Sequence, residues 1–198
     1  MDEAIIVEKI GKAGIIRFNR PAIKNPLSIE TLEKLDRIYT ALTFDARLEK
    51  IIFTGSGDTF ASGANLNEVA ELTAETARQF GLRGQNQMQK IYTSEKLTVA
   101  AIDGFCMGGA LDLALSCKVR IASARSIFAH PGVGLGIITG WSGTQILPRL
   151  IGEARALEMF LTAKRVSANE ALRIGLIDKI AENPLADSLA NSAANHSS

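Results

Sequence analysis

Apolar residues along this chain alternate between strand-like runs and helix-like stripes. Residues 4–9 and 14–18 are two β-rich runs joined by a glycine-containing turn, which predicts a hairpin. Between residues 29 and 42, apolar side chains recur at helical spacing directly after a serine, a residue type that favours a helix N-terminus. Further apolar runs at 51–54 and 97–102 each precede a small-residue turn and a helical stretch. Strands that alternate with helices in this way predict a mainly parallel α/β fold.

Two stretches rich in small residues stand where a predicted strand ends and a predicted helix begins. They are FASGANL at residues 60–66 and GFCMGGALD at residues 104–112. At such turns, backbone N–H groups can converge on one oxygen because no bulky side chain stands in the way. Either turn alone is typical of tight packing between a helix and a strand. Two such turns facing each other indicate an oxyanion hole, which stabilises an enolate or tetrahedral oxyanion formed from a thioester.

The composition predicts one folded domain without a polyanionic partner. The chain has 198 residues, of which 46% are hydrophobic, enough for a substantial core. Its 22 basic and 21 acidic residues leave a formal charge of +1, so neither nucleic acid nor an anionic membrane surface is an expected partner. We expect the core domain to span residues 1–182, and residues 183–198, rich in Ala, Asn and Ser, to form a disordered tail.

The cysteines, the N-terminus and the hydropathy favour a cytoplasmic protein. Cys106 and Cys117 have apolar neighbours and lack the spacing of metal ligands, which predicts reduced core residues and no metal site. The first residues lack the basic segment and the long apolar stretch of a signal peptide. Since no apolar run is long enough to cross a bilayer, we expect no membrane association.

Together with the two turns, three further motifs resemble the crotonase superfamily of enoyl-CoA hydratases and isomerases. They are NRP and NPL within residues 19–27, GWSGTQ at residues 140–145, and ANEA followed by GLID within residues 168–178. The resemblance implies a crotonase-like spiral of repeated ββα units that assembles as a trimer or hexamer. It also implies an acyl-CoA thioester as the partner. Coenzyme A would then be part of the substrate, and no separate cofactor is expected.

Carried over to the matching positions, the resemblance implies that the amides of Ala64 and Gly109 are the two oxyanion donors. It further implies that nine residues contact CoA or the acyl group: Ala22, Lys24, Asn65, Leu66, Asn67, Gly108, Pro131, Gly132 and Trp141. For two of these residues, an ordinary structural role is the alternative to substrate contact. Lys24 also fits an exposed loop lysine, and Trp141 also fits simple packing.

The acid–base residues depart from the family's pattern. Asp112 occupies the position of one catalytic glutamate, and its spacing of three from Gly109 places it on the same helical face as that donor. The alternative role is stabilisation of the helix start through the dipole. Gly132 occupies the second glutamate's position and carries no titratable group, as in the family's dihydroxynaphthoyl-CoA synthases, where a bound anion substitutes.

His130 is the nearest titratable substitute for the missing carboxylate. It lies two residues before Gly132, and its unperturbed pKa suits acid–base work. The alternative is a structural histidine that is hydrogen-bonded in a turn. His196 has no neighbouring motif and is expected to be solvated in the tail.

The leading interpretation is therefore an acyl-CoA-processing enzyme of the enoyl-CoA hydratase/isomerase type, active in fatty acid metabolism. Two alternatives remain open. One is another crotonase reaction, such as a decarboxylation or a lyase step. The other is a non-catalytic acyl-CoA-binding homologue, favoured by Gly132 and by the expectation that the family's C-terminal helical region is largely absent after residue 182.

Overall fold

The computed structural model describes residues 3–190. The strands in chain order are β1 (Ile5–Ile10), β2 (Ala13–Phe18), β3 (Pro26–Leu27), β4 (Lys50–Gly55), β5 (Thr59–Ala61), β6 (Gly63–Ala64), β7 (Leu97–Ile102), β8 (Phe105–Met107), β9 (Val119–Ala122), β10 (Ile127–Ala129), β11 (Val166–Ser167) and β12 (Lys179–Ile180). The helices are α1 (Ile29–Phe44), α2 (Leu66–Ala70), α3 (Ala74–Tyr92), α4 (Gly109–Ser116), α5 (Gly143–Ile151), α6 (Glu153–Thr162), α7 (Ala168–Arg173) and α8 (Pro184–Ala190). Short 3-10 turns lie at Pro21–Ile23 and Pro131–Leu135.

The strands form two main sheets that the chain visits in turn. The larger sheet has the order β1-β2-β4-β7-β9-β12, and all of its neighbours are parallel except the predicted β1–β2 hairpin. The second sheet has the order β11-β10-β8-β5. In the successive pairs β4–β5, β7–β8 and β9–β10, the first strand lies in the larger sheet and the second strand lies in the second sheet. Helices follow each pair. This arrangement agrees with the predicted spiral of ββα units.

Local sequence signals explain where the helices begin. Ser28 caps α1, since its side chain accepts a hydrogen bond from the amide of Thr31 at 3.1 Å. Asn65 caps α2 in the same way, accepting from the amide of Asn67 at 3.1 Å. Within residues 3–190, none of the helices combines the length and the apolar character that crossing a membrane requires.

The prediction of a disordered tail over residues 183–198 is wrong for the part of it that the structure describes. Residues 184–190 form α8, which packs over the smaller apolar cluster of the larger sheet through Leu185 and Leu189. Lys50 Nζ donates hydrogen bonds to the carbonyls of Ser188 and Leu189 at 2.7 and 2.9 Å. The two leucines, four residues apart, cover a sheet face that would otherwise be exposed to water. Residues 191–198, with His196, lie outside the described residues.

Candidate active site

The two small-residue turns meet at the start of α4. A β-carbon added to Gly63 would lie 2.6 Å from the carbonyl oxygen of Met107 and 2.9 Å from the amide nitrogen of Gly109. Gly63 also has a positive φ of 92°, a conformation that favours glycine. Only a residue without a side chain therefore allows the first turn to approach the second this closely. Ala64 and Gly109 line one cavity of about 250 Å³.

The backbone at Gly108 turns sharply so that α4 begins facing this cavity. Gly108 has a φ of 52°, and its amide donates to the carbonyl of Ala129 at the end of β10, at 2.9 Å. The amide of Gly109 belongs to the first turn of α4, whose N–H groups have no acceptor within the helix. The helix dipole adds partial positive charge at the same end. The start of α4 is therefore suited to hold a negatively charged oxygen.

Most of the residues predicted to form the site line this cavity. They are Ala64, Leu66, Gly108, Gly109, Asp112, His130, Pro131, Gly132 and Trp141. Sequence reasoning missed others that also line it: Ser62, Val69, Phe80, Gly81, Leu135, Ile137, Ile138, Thr139 and Gly140. Five of the missed residues are apolar and lie outside the quoted motifs: Val69, Phe80, Leu135, Ile137 and Ile138. Ser62 and Gly140 lie within two of those motifs. The cavity thus combines an apolar wall with a few polar groups.

Four predicted CoA contacts do not line the cavity. Ala22, Lys24, Asn65 and Asn67 lie outside its lining. Lys24 Nζ donates to both carboxylate oxygens of Asp58 at 2.8 and 2.9 Å, and this bond lowers the pKa of Asp58. Within residues 3–190, no three His, Cys, Asp or Glu side chains are grouped closely enough to hold a metal ion.

Asp112 is completely buried in the cavity wall. Its Oδ2 accepts hydrogen bonds from Thr139 Oγ1 at 2.5 Å and from the amide of Ser142 at 3.3 Å. Its Oδ1 has no hydrogen-bond partner within residues 3–190. Burial raises the pKa of Asp112, while His130, the Thr139 hydrogen bond and the backbone amides of Ser142 and Gly143 oppose the rise. A raised pKa and an unpaired oxygen suit a group that accepts and returns a proton.

His130 faces the unpaired oxygen of Asp112. Its Nε2 lies 3.7 Å from Asp112 Oδ1, and neither ring nitrogen has a hydrogen-bond partner within the part of the chain that the structure describes. Burial lowers the pKa of His130, and Asp112 opposes this. A structural histidine in a turn would be expected to have its ring nitrogens paired. The unpaired ring beside Asp112 therefore favours the acid–base interpretation.

Two glycines shape the space around this pair. A β-carbon on Gly143 would lie 2.3 Å from Asp112 Oδ1 and 3.1 Å from His130 Cε1, so glycine leaves room for both side chains. A β-carbon on Gly132 would lie 2.7 Å from the carbonyl oxygen of Ile137. Position 132 therefore carries no carboxylate, and the backbone of Ile137 leaves no room for a side chain there.

Trp141 is both packed and part of the cavity wall. Its side chain is 5% exposed, and its ring lies 5.6 Å from the ring of Phe80. The two interpretations made from the sequence therefore do not exclude each other.

Residues 10–195 match the sequence model of the enoyl-CoA hydratase/isomerase family. The short-chain-enoyl-CoA hydratase of Clostridium acetobutylicum is 39% identical over 179 residues, which are 90% of this chain and 69% of that protein. The crotonyl-CoA hydratase of Syntrophomonas wolfei is 42% identical over 181 residues, covering 91% of this chain and 70% of the relative.

Solved structures of similar sequence share the fold of this chain. The enoyl-CoA hydratase of Bacillus anthracis superposes with a TM-score of 0.88 at 34% identity, over 95% of this chain and 74% of that one. Pseudomonas aeruginosa DspI gives a TM-score of 0.88 at 34% identity, over 94% of this chain and 77% of that one. The fold is that of the crotonase superfamily. The chain belongs to the enoyl-CoA hydratase/isomerase family, and its function is of the enoyl-CoA hydratase type.

Proposed function

We propose that the protein adds water to the double bond of a short 2-enoyl-CoA, with the thioester oxygen between the amides of Ala64 and Gly109. The observation that carries this proposal is the contact between the two turns, in which Gly63 brings Ala64 beside the start of α4. As negative charge develops on the thioester oxygen, hydrogen bonds from two fixed amides strengthen. The names of the two hydratase relatives support an enoyl-CoA substrate.

Asp112 and His130 are proposed to manage the protons. Ionised Asp112 accepts a proton through Oδ1 while the water oxygen bonds to C3, and the double-bond electrons move onto the thioester oxygen. When the enolate collapses, C2 takes a proton from the Asp112–His130 pair. The pair gains one proton and returns one, so the step balances. This assignment is supported by the 3.7 Å separation of Oδ1 and Nε2 and by the lack of other partners for either atom within residues 3–190.

A lyase or decarboxylation reaction on an acyl-CoA is the second candidate. It is favoured by Gly132, because such a reaction needs the oxyanion hole but not two separate carboxylates. A non-catalytic homologue is disfavoured, since binding alone does not require a buried carboxylate with one unpaired oxygen beside the two amides.

A panel of acyl-CoA thioesters distinguishes these candidates. Short 2-enoyl-CoAs and carboxyacyl-CoAs are incubated with the full chain, and the products are identified by mass. A gain of one water supports hydration, and loss of carbon dioxide supports decarboxylation. Because position 132 supplies no carboxylate, we expect a kcat/KM on crotonyl-CoA below about 10⁶ M⁻¹s⁻¹, a value typical of efficient enzymes. A rate at or above that value would show that one carboxylate suffices.

Assembly and compartment are further parts of this proposal. Leu157 and Leu161 are large, exposed and four residues apart on α6, which supports self-association as a trimer or hexamer. Sedimentation over a dilution series tests it.

Cys106 and Cys117 are buried and free. Free cysteines are typical of a reducing compartment, which supports a cytoplasmic location. The proposed enoyl-CoA substrate supports a role in fatty acid metabolism.

A further inference from the structure

A second cavity lies directly behind the wall of the first. It has a volume of about 370 Å³ and lies between α3 and α5. Met88, Tyr92 and Ile146 give it apolar surface, and polar side chains, among them Gln145 and Arg149, also line it. Of the residues that the structure describes, Trp141 is the one that borders both cavities.

The indole of Trp141 is clamped between two helices that have no side chain where they touch it. A β-carbon on Gly84 of α3 would lie 2.1 Å from Cδ1 of Trp141, at the five-membered ring. A β-carbon on Gly109 of α4 would lie 2.3 Å from Cζ3, at the six-membered ring. Gln85 Nε2 donates a hydrogen bond to the carbonyl of Gly140 at 2.8 Å. Because Gln85 lies on α3, this bond connects the backbone just before Trp141 to that helix. The ring is therefore held in place and closes the gap between α3 and α4.

We infer that Trp141 is the partition that limits the length of the acyl chain, and that the cavity behind it is a latent subsite for a longer straight chain. This inference rests on the proposed function, because it requires the thioester beside Gly109. An acyl chain that starts there meets the six-membered ring of Trp141 within its first carbons. Without the indole, the same chain would reach the apolar surface of Met88, Tyr92 and Ile146.

The replacement Trp141→Ala tests the partition. We compare kcat/KM on 2-butenoyl-CoA with kcat/KM on 2-decenoyl-CoA, and dissociation constants for butyryl-CoA and decanoyl-CoA. The wild-type protein should favour the four-carbon substrate. The ratio of ten-carbon to four-carbon kcat/KM should rise at least about tenfold in the variant, since even one methylene in an apolar pocket changes discrimination by that order. An unchanged ratio, or a wild-type protein that accepts both lengths equally, would overturn the inference.

Two controls separate a partition from a general widening of the site. Phe80→Ala enlarges the first cavity next to Trp141, but Phe80 does not border the second cavity, so the ratio should change much less. In the Trp141→Ala background, Gln145→Trp refills the second cavity from its exposed side and should reverse the gain in ratio. Equal gains in Phe80→Ala and Trp141→Ala, or no reversal by Gln145→Trp, would contradict the inference.

Failure of the partition is distinguishable from failure of the proposed function. If the wild-type protein binds neither butyryl-CoA nor decanoyl-CoA, the proposed function fails and the inference fails with it. If it binds butyryl-CoA and the ratio stays constant in the variants, only the partition fails. Should Trp141→Ala not fold, Trp141→Leu replaces it, and the same ratio decides with a smaller expected gain.

Discussion

The two halves of the site use different chemistry, and they differ in how clearly the sequence predicts them. The proposed oxyanion half consists of backbone amides, held by Gly63, Gly108 and the start of α4. The proposed acid–base half consists of side chains from three separate segments, with Asp112 on α4, His130 after β10 and Thr139 in the loop before α5. Glycines mark a backbone site directly in the sequence. A side-chain site that spans distant segments leaves no such local mark.

The largest expected effect lies in the acid–base half. Asp112→Asn keeps the shape of the side chain but cannot take up a proton, so kcat should fall about 10²- to 10⁴-fold, the usual contribution of a general acid–base group. Binding of butyryl-CoA, measured by calorimetry, should stay within a few-fold of wild type. Asp112→Glu is the matched control that keeps the carboxylate. A kcat for Asp112→Asn near the wild-type value would leave Asp112 as a structural residue at the helix start.

The oxyanion half is tested by Gly63→Ala. The new β-carbon would lie 2.9 Å from the Gly109 amide nitrogen and 2.6 Å from the Met107 carbonyl oxygen, so the two turns must separate. Loss of one oxyanion donor costs on the order of 10²- to 10³-fold in kcat. Gly134→Ala is the control, because a β-carbon there meets no atom within 4 Å. Steady-state kinetics on the best substrate of the panel compares the two. Full turnover by a folded Gly63→Ala protein would argue against the paired amides.

The sequence could predict most of the fold and the two small-residue turns that meet at the start of α4, for physical reasons. Turns that bring backbones together need glycine, and strands and helices of a ββα spiral need apolar residues at fixed periods. It could not predict the fit at Gly84, which by helix propensity weakens the middle of α3. The structure shows that this glycine makes room for the Trp141 ring. Such a fit joins residues 57 positions apart, and no local pattern contains it.

Position 132 shows how the structure changes an expectation from the sequence. If the missing carboxylate were simply a lost side chain, Gly132→Glu would raise hydration of crotonyl-CoA. The β-carbon would lie 2.7 Å from the Ile137 carbonyl oxygen, so we expect no gain. Instead the variant should lose about 1–3 kcal/mol of stability, as overpacked sites do, measured by urea unfolding. Gly132→Ala should show a similar loss. A variant that gains activity at full stability would show that the loop before α5 rearranges readily.

The smallest effect concerns the pKa of Asp112. Thr139 Oγ1 donates to Asp112 Oδ2, and this bond lowers the pKa of Asp112 against the rise caused by burial. Thr139→Val removes the donor, so the pKa of Asp112 should rise further. Because the ionised form accepts the proton, activity should fall at low pH and recover at high pH. The acid limb of the kcat profile should therefore move upward, by about one pH unit if the bond contributes about 1.4 kcal/mol. Thr139→Ser restores the hydroxyl and should restore the profile. A uniform loss of activity at every pH would mean that Thr139 only packs, because packing does not depend on the protonation of Asp112.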